Sequence, residues 1–233
     1  MSVIKRRNEA MQNEQQTARE PIDRQVEAAR YALLRRLAFA MRHHMVVHLQ
    51  PIGMITEVME RRLRMPDPDL GHVHESMTKI NGFSRAAVQS CLDVVTWLAP
   101  EDGVRIALDA GVQESVAMLR SNFNFRGFTL KDEVGAAPIE VSRTSLRNVL
   151  PAVLVALTDR AASPADVVVT ASTDAGRAAL TVTVTQTDGS QGFAGDPPYR
   201  LLEWQEVQAL AQAEGVALER DGQLARITLA AAQ

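Results

Sequence analysis

The chain has one cysteine in 233 residues, Cys91, which excludes a disulfide framework and fits a reducing compartment. It falls among apolar residues at helical spacing, so a core position is expected rather than a nucleophile. Aromatic side chains are scarce, at 4% of the chain, and Trp97 and Trp204 read as isolated packing anchors instead of a ligand cage. No apolar run approaches the ~20 residues of a membrane span. The opening MSVIKRRNEAMQNEQQ lacks the apolar stretch of a signal peptide, so a soluble, cytoplasmic chain without a membrane partner is expected. Excess positive charge is missing too. A formal net charge of −3 and a pI near 6 give no electrostatic case for nucleic acid. Basic groups such as Lys5-Arg6-Arg7 and Arg61-Arg62 are interleaved with acids and read as solvated helix faces.

What is present is long helical periodicity. Residues 1–20 are polar and rich in Gln, Asn and Glu, and read as a frayed tail or a poorly packed helical extension. Glu20-Pro21 offers a helix start. From there to about Met65 apolar residues recur at three- and four-residue steps through Leu34, Leu37, Met41, Met45, Leu49, Ile52, Ile55, Met59 and Leu63. Pro51 is expected to kink this helix or loosen its hydrogen bonding near Val47. MPDPDLGH, residues 65–72, breaks the pattern. A second helix follows, its apolar side read as Val73, Met77, Ile80, Ala87, Val88, Cys91, Val94, Val95 and Leu98. Two long helices joined by a short turn make an antiparallel hairpin. One hairpin cannot bury both of its seams, so pairing of two copies as a four-helix bundle, a homodimer, is expected.

After Gly103 strands and helices alternate. VRIAL and GFTLKDEV are strand candidates, and GVQESVAMLRSNF is an amphipathic helix. SRTSLRNVLPAVLVALTDRA is a helix opened by a Ser/Thr cap. DVVVTASTDAGRAALTVTVTQT alternates as a hairpin turning at 174–176. YRLLEWQEVQALAQAEG is a helix closed by Gly215, and VALERDGQLARITLA a last hairpin around Asp221-Gly222. The expected fold is α+β in two domains: a polar tail at 1–20, a helical-hairpin domain at 21–100, and an α/β sandwich with a mixed sheet at 101–233.

Three of the five histidines, His43, His44 and His48, lie in HHMVVHLQPI on the first helix. This box, followed by the α/β segment, resembles the core of bacterial sensor histidine kinases, whose first helix carries His-Glu-Leu-Arg-Thr-Pro-Leu-x-x-Ile. His43, Leu49 and Ile52 stand at matching places, while His44 replaces the acid and His48 the proline. The resemblance covers about residues 25–232. It implies a dimeric bundle whose phosphoacceptor is His43, and a kinase-type ATPase domain after it. The departures are as informative. Where the family's nucleotide-site helix carries two asparagines, this chain has Ala152 and Ala156, and a methyl group offers magnesium no oxygen. Asn148 stands one turn too early. The Asp-x-Gly-x-Gly box is not restored by Gln186 or Asp188, and DPPYRLLEW, with Asp196, Pro197 and Pro198, replaces a glycine-rich phosphate loop. The resemblance therefore implies a degenerate ATPase-like domain without a bound cofactor.

The reading that follows is a histidine phosphotransfer protein, closest in type to dimeric phosphotransferases with an inert ATPase-like domain. It passes a phosphoryl group to or from a response-regulator receiver aspartate through His43. An upstream histidine kinase is a further expected partner. By analogy receiver docking falls on Val47 and Met54 below the histidine. His44 is either an auxiliary residue orienting His43 or, with His48, a packed residue of the seam. HMVVH has the spacing of a zinc-binding pair, but it lacks the peptidase glutamate and a third ligand, so no metal is expected. Two alternatives stay open: a pseudokinase docking or scaffold module that carries no phosphate, and a divergent active kinase.

Overall fold

The computed structural model describes residues 2–99, 103–174, 176–189, 192 and 199–231, with side chains from Arg24 onward. The first helix, α1 (Ser2–Leu63), begins well before Glu20-Pro21 and passes through both Pro21 and Pro51. No glycine precedes Gly53, and the opening is built from good helix formers, so nothing in it stops the helix. The side chains of the expected tail, 1–20, lie outside the described residues. At Pro51 the cost is local, since the Val47 carbonyl finds no N–H there.

Asp69 starts α2 (Leu70–Leu98), its carboxylate accepting from the N–H groups of Gly71 at 2.8 Å and His72 at 3.2 Å. The same carboxylate meets the His72 ring at 2.6 Å. Those hydrogen bonds, the one from the His72 side chain foremost, hold the Asp69 carboxyl below the usual carboxylate range. Along α2 the shielded side follows three- and four-residue steps through Val73, Ser76, Ile80, Phe83, Ala87, Ser90, Val94 and Trp97, with Ser84, Ala86, Asp93 and Thr96 half-buried beside it. This corrects the expected seam. Met77, Val88, Cys91, Val95 and Leu98 are exposed, because the heptad runs through two serines and leaves those apolar residues on another face. Cys91 is thus a surface residue, its Sγ 3.9 Å from the Met45 thioether. On α1 from residue 42 onward the half-buried positions are His44, Met45, His48, Pro51, Ile52, Ile55 and Met59, whereas Leu49 and Leu63, expected in the seam, face outward.

Two compact units result, one formed by 37–101 and the other by 1–36 with 102–233. In the second, β1 (Arg105–Ala107) pairs antiparallel with β3 (Glu140–Ser142). The main sheet contains β2 (Phe128–Glu133), β4 (Ala165–Asp174), β5 (Arg177–Gln186), β6 (Ala217–Asp221) and β7 (Leu224–Ala230), in the order β2-β4-β5-β7-β6. Only β2 and β4 run parallel, so the sheet is mixed. Val167, Val169, Leu180, Val182, Ile227 and Leu229 point to one side, while threonines and Arg226 alternate to the other. The helices α3 (Leu108–Phe125), α4 (Arg143–Thr158) and α5 (Trp204–Ala213) sit in sequence, α4 touching both neighbours and reaching β5 and β7. Leu146, Leu150, Leu154 and Leu157 of α4 are fully buried, each worth roughly 1.5–3 kcal/mol of apolar transfer. Ser142 caps α4, accepting from the Ser145 N–H at 3.2 Å. The architecture is α+β, a helical hairpin followed by a mixed five-stranded sheet with helices, as the sequence pattern implies. Among the described residues no helix is long and apolar enough to cross a membrane.

Candidate functional site

Helical spacing sorts the histidine box into two faces. His43 is exposed, and among the described residues its ring takes no hydrogen bond or ion pair. Positions 43, 47, 50 and 54 follow the 4-3-4 rhythm of one helix face, so His43, Val47, Gln50 and Met54 stand together. Val47 is 47% exposed and Met54 61%. An imidazole on such a face has both nitrogens open to an incoming phosphorus atom, and apolar neighbours able to bury area against a partner.

His44 and His48 are one turn apart on the shielded side, half-buried, with ring centroids 5.9 Å apart in an edge-to-face arrangement. His44 therefore stands on the seam, away from the face that His43 presents, and supplies no carboxylate to hold a His43 nitrogen. His72 and His74 lie in the first turns of α2, His72 engaged with Asp69. Among the described residues no three His, Cys, Asp or Glu side chains converge on a point that would hold a metal ion.

On α4, Ala152 and Ala156 are completely buried and present only methyl groups. Asn148 donates to Glu214 at 2.7 Å, and the Ser145 hydroxyl donates to the other oxygen of the same carboxylate at 3.1 Å. The Asn148 amide N–H and the Ser145 hydroxyl are thus both directed at Glu214. Beyond β5 the backbone of Gly192 lies directly against Arg126 and Gly127, so closely that a Cβ on either glycine would overlap the other's main chain. Gly127 is also left-handed, with φ +83°. Asp196, Pro197 and Pro198, expected to obstruct a phosphate loop, lie outside the described residues.

The strongest polar constellation was not expected from sequence. Asp159, at the end of α4, has a side chain only 1% exposed. Arg36 of α1, 4% exposed, donates to both of its oxygens at 2.5 and 2.7 Å, and Arg126 donates to it at 3.1 Å. Burial lowers the Arg126 pKa, opposed chiefly by the Asp159 charge. A second cluster joins Glu114 of α3 to Arg143 and Arg147 of α4 at 2.6 and 3.0 Å. One sequence signal could have found the first cluster: Arg36 occupies an apolar-phase position between Leu33 and Leu37.

No protein-family model and no curated protein matches the chain. Solved structures do. A histidine kinase from Burkholderia phymatum STM815 is 19% identical and aligns over 84% of this chain and 97% of its own, with a TM-score of 0.43. A bacterial phosphotransferase is 15% identical over 84% of this chain and 95% of its own, with a TM-score of 0.38. The catalytic domain of histidine kinase ThkA is 11% identical over 55% of this chain and 95% of its own, with a TM-score of 0.44.

Proposed function

We propose that this chain is a phosphohistidine carrier of two-component signalling, acting as a homodimer without ATP. The observation that carries the reading is the exposed face of α1 on which His43 stands with Val47 and Met54. In the transfer a lone pair of a His43 nitrogen attacks the phosphorus of a receiver's aspartyl phosphate. A nitrogen–phosphorus bond forms as the acyl phosphate P–O bond breaks, the receiver aspartate leaves as a carboxylate, and the proton on the other nitrogen of the attacking imidazole passes to solvent. The reverse sequence returns the group. The receiver brings its own Mg²⁺, so the bundle contributes position alone.

Two further features support the reading. The methyl groups of Ala152 and Ala156 leave α4 without oxygen ligands where the resembled kinases need them. The exposed stripe of Val88, Leu92 and Val95 on α2 gives a second copy an apolar surface to cover. Incubation with a receiver phosphorylated by a small-molecule donor tests the function. Label is expected to move to the wild-type chain and not to His43→Ala, and equal transfer to both would refute it.

A second reading, a docking module that carries no phosphate, is favoured by one observation: His44 faces the seam, and among the described residues no acid orients the His43 ring. Under that reading His43→Ala keeps receiver affinity, and no label moves to either protein.

A further inference from the structure

We propose that residues 24–36 of α1 form a releasable clasp on the C-terminal part of their own unit, closed by the bidentate pairing of the Arg36 guanidinium with the buried Asp159 carboxylate. The pairing joins three segments at one point. Besides its two bonds to Asp159, Arg36 donates to the Arg200 carbonyl at 3.1 Å, and the Leu202 N–H donates to Asp159 at 3.4 Å. Arg126 completes the carboxylate's shell while bonding to the Thr158 hydroxyl and carbonyl, both at 3.2 Å. Six residues earlier Arg30 forms the second anchor, 3.0 Å from Glu214, which already accepts from Ser145 and Asn148.

Within 24–36 the buried apolar residues of α1 are small or few: Val26, Ala29, Ala32 and Leu33. The sheet and α4, by contrast, have a leucine-rich core of their own. The contact is therefore determined by directed charge more than by apolar area. Polar contacts of this kind within a chain separate more readily than a hydrophobic core does. A buried bidentate pair is also close to all-or-none, since release of Arg36 strips both of its bonds at once and leaves the buried Asp159 to Arg126 and the Leu202 N–H alone. That makes a two-state element. Val26, Ala29, Leu33 and Arg36 follow three- and four-residue steps that continue through Ala40 to His43, Val47, Gln50 and Met54. The clasp thus grips the helix face that carries His43, seven positions upstream of it. Closing or opening it changes how that face is held, a regulatory role that rests on the phosphotransfer reading.

Hydrogen exchange on the full chain, comparing wild type with Arg36→Met and Arg36→Lys, tests the clasp without any phosphoryl chemistry. In Arg36→Met the amides of 24–36 are expected to exchange about a hundredfold faster, somewhat less than for breaking one side of a lone buried pair, because Arg126 still holds Asp159. The amides of β4, β5 and β7 keep their protection, and Arg36→Lys, which retains charge but not the fork, falls between. Unchanged exchange in 24–36 would overturn the clasp. So would joint loss of protection in 24–36 and the sheet, which would make the contact part of one cooperative core. The transfer rate to His43 is then compared in wild type and Arg36→Met. A severalfold difference supports the regulatory role, and equal rates with an opened clasp overturn it. If wild type accepts no label, the phosphotransfer reading fails and the regulatory role fails with it, while the exchange result alone decides the clasp.

Discussion

The hairpin and the α/β unit treat apolar residues in opposite ways. In the α/β unit the leucines of α4 and the inward residues of β4, β5 and β7 are sealed from water, and the charges inside are paired, as Asp159 is with Arg36 and Arg126. In the hairpin, Met54, Met77, Val88, Leu92 and Val95 stand in solvent beside a seam that contains serines and histidines. The first buries most of its apolar residues within one chain, with Phe125, Leu201 and Leu224 among the exceptions. The second has apolar surface still to cover, and the face bearing His43 is part of what remains open. Stability and recognition are thus allotted to different regions, and substitutions in the two should fail in different ways.

The largest expected effect is in the sealed region. Leu150→Ala leaves a cavity against α4's neighbours and should cost about 2–5 kcal/mol, read as a lower denaturant midpoint. Leu92, 54% exposed, is the matched probe in the hairpin. Leu92→Ala should scarcely move that midpoint at low protein concentration, yet weaken self-association by about 2–4 kcal/mol summed over both copies of a two-fold interface. Sedimentation over a concentration series measures it. A destabilised dilute monomer with unchanged association would erase the contrast.

The His43 face should respond more modestly. Met54→Ala is expected to weaken receiver binding by about 1 kcal/mol, with the circular dichroism spectrum unchanged, and calorimetry reports it. Smallest is a pH effect at the turn between the helices. The Asp69 carboxyl is held below its unfolded value by His72 and two backbone N–H groups. Its stabilising contribution is therefore present above the unfolded pKa and is lost as pH falls through the folded one. Amide exchange at Gly71 and His72 should rise under acid before the sheet loosens, and Asp69→Asn should remove most of that pH dependence.

Sequence revealed most where the determinants are local. The alternation of Leu180, Val182 and Val184 with threonines, the turn at Asp221-Gly222 and the Ser142 cap each act within a few residues, and their elements stand where expected. The face shared by His43, Val47 and Met54 follows from helical spacing alone. Features set at a distance were legible at one end at most. Arg36 and Asp159 lie 123 positions apart: the apolar phase of α1 marks Arg36 as buried, but nothing in either segment identifies its partner. The pairing of the three-residue β3 with β1 is too short to leave a pattern. Cys91, expected in the core from its apolar neighbours, is exposed because the shielded side of α2 runs through Ser76 and Ser90 instead.

The most direct measurement is of the bond itself. After exposure to a phosphorylated receiver, the chain should carry an acid-labile, base-stable phosphoryl group that fragmentation mass spectrometry places on His43, with His44 and His48 unmodified. An unmodified His43 under conditions where the receiver binds and loses its phosphate would contradict the account.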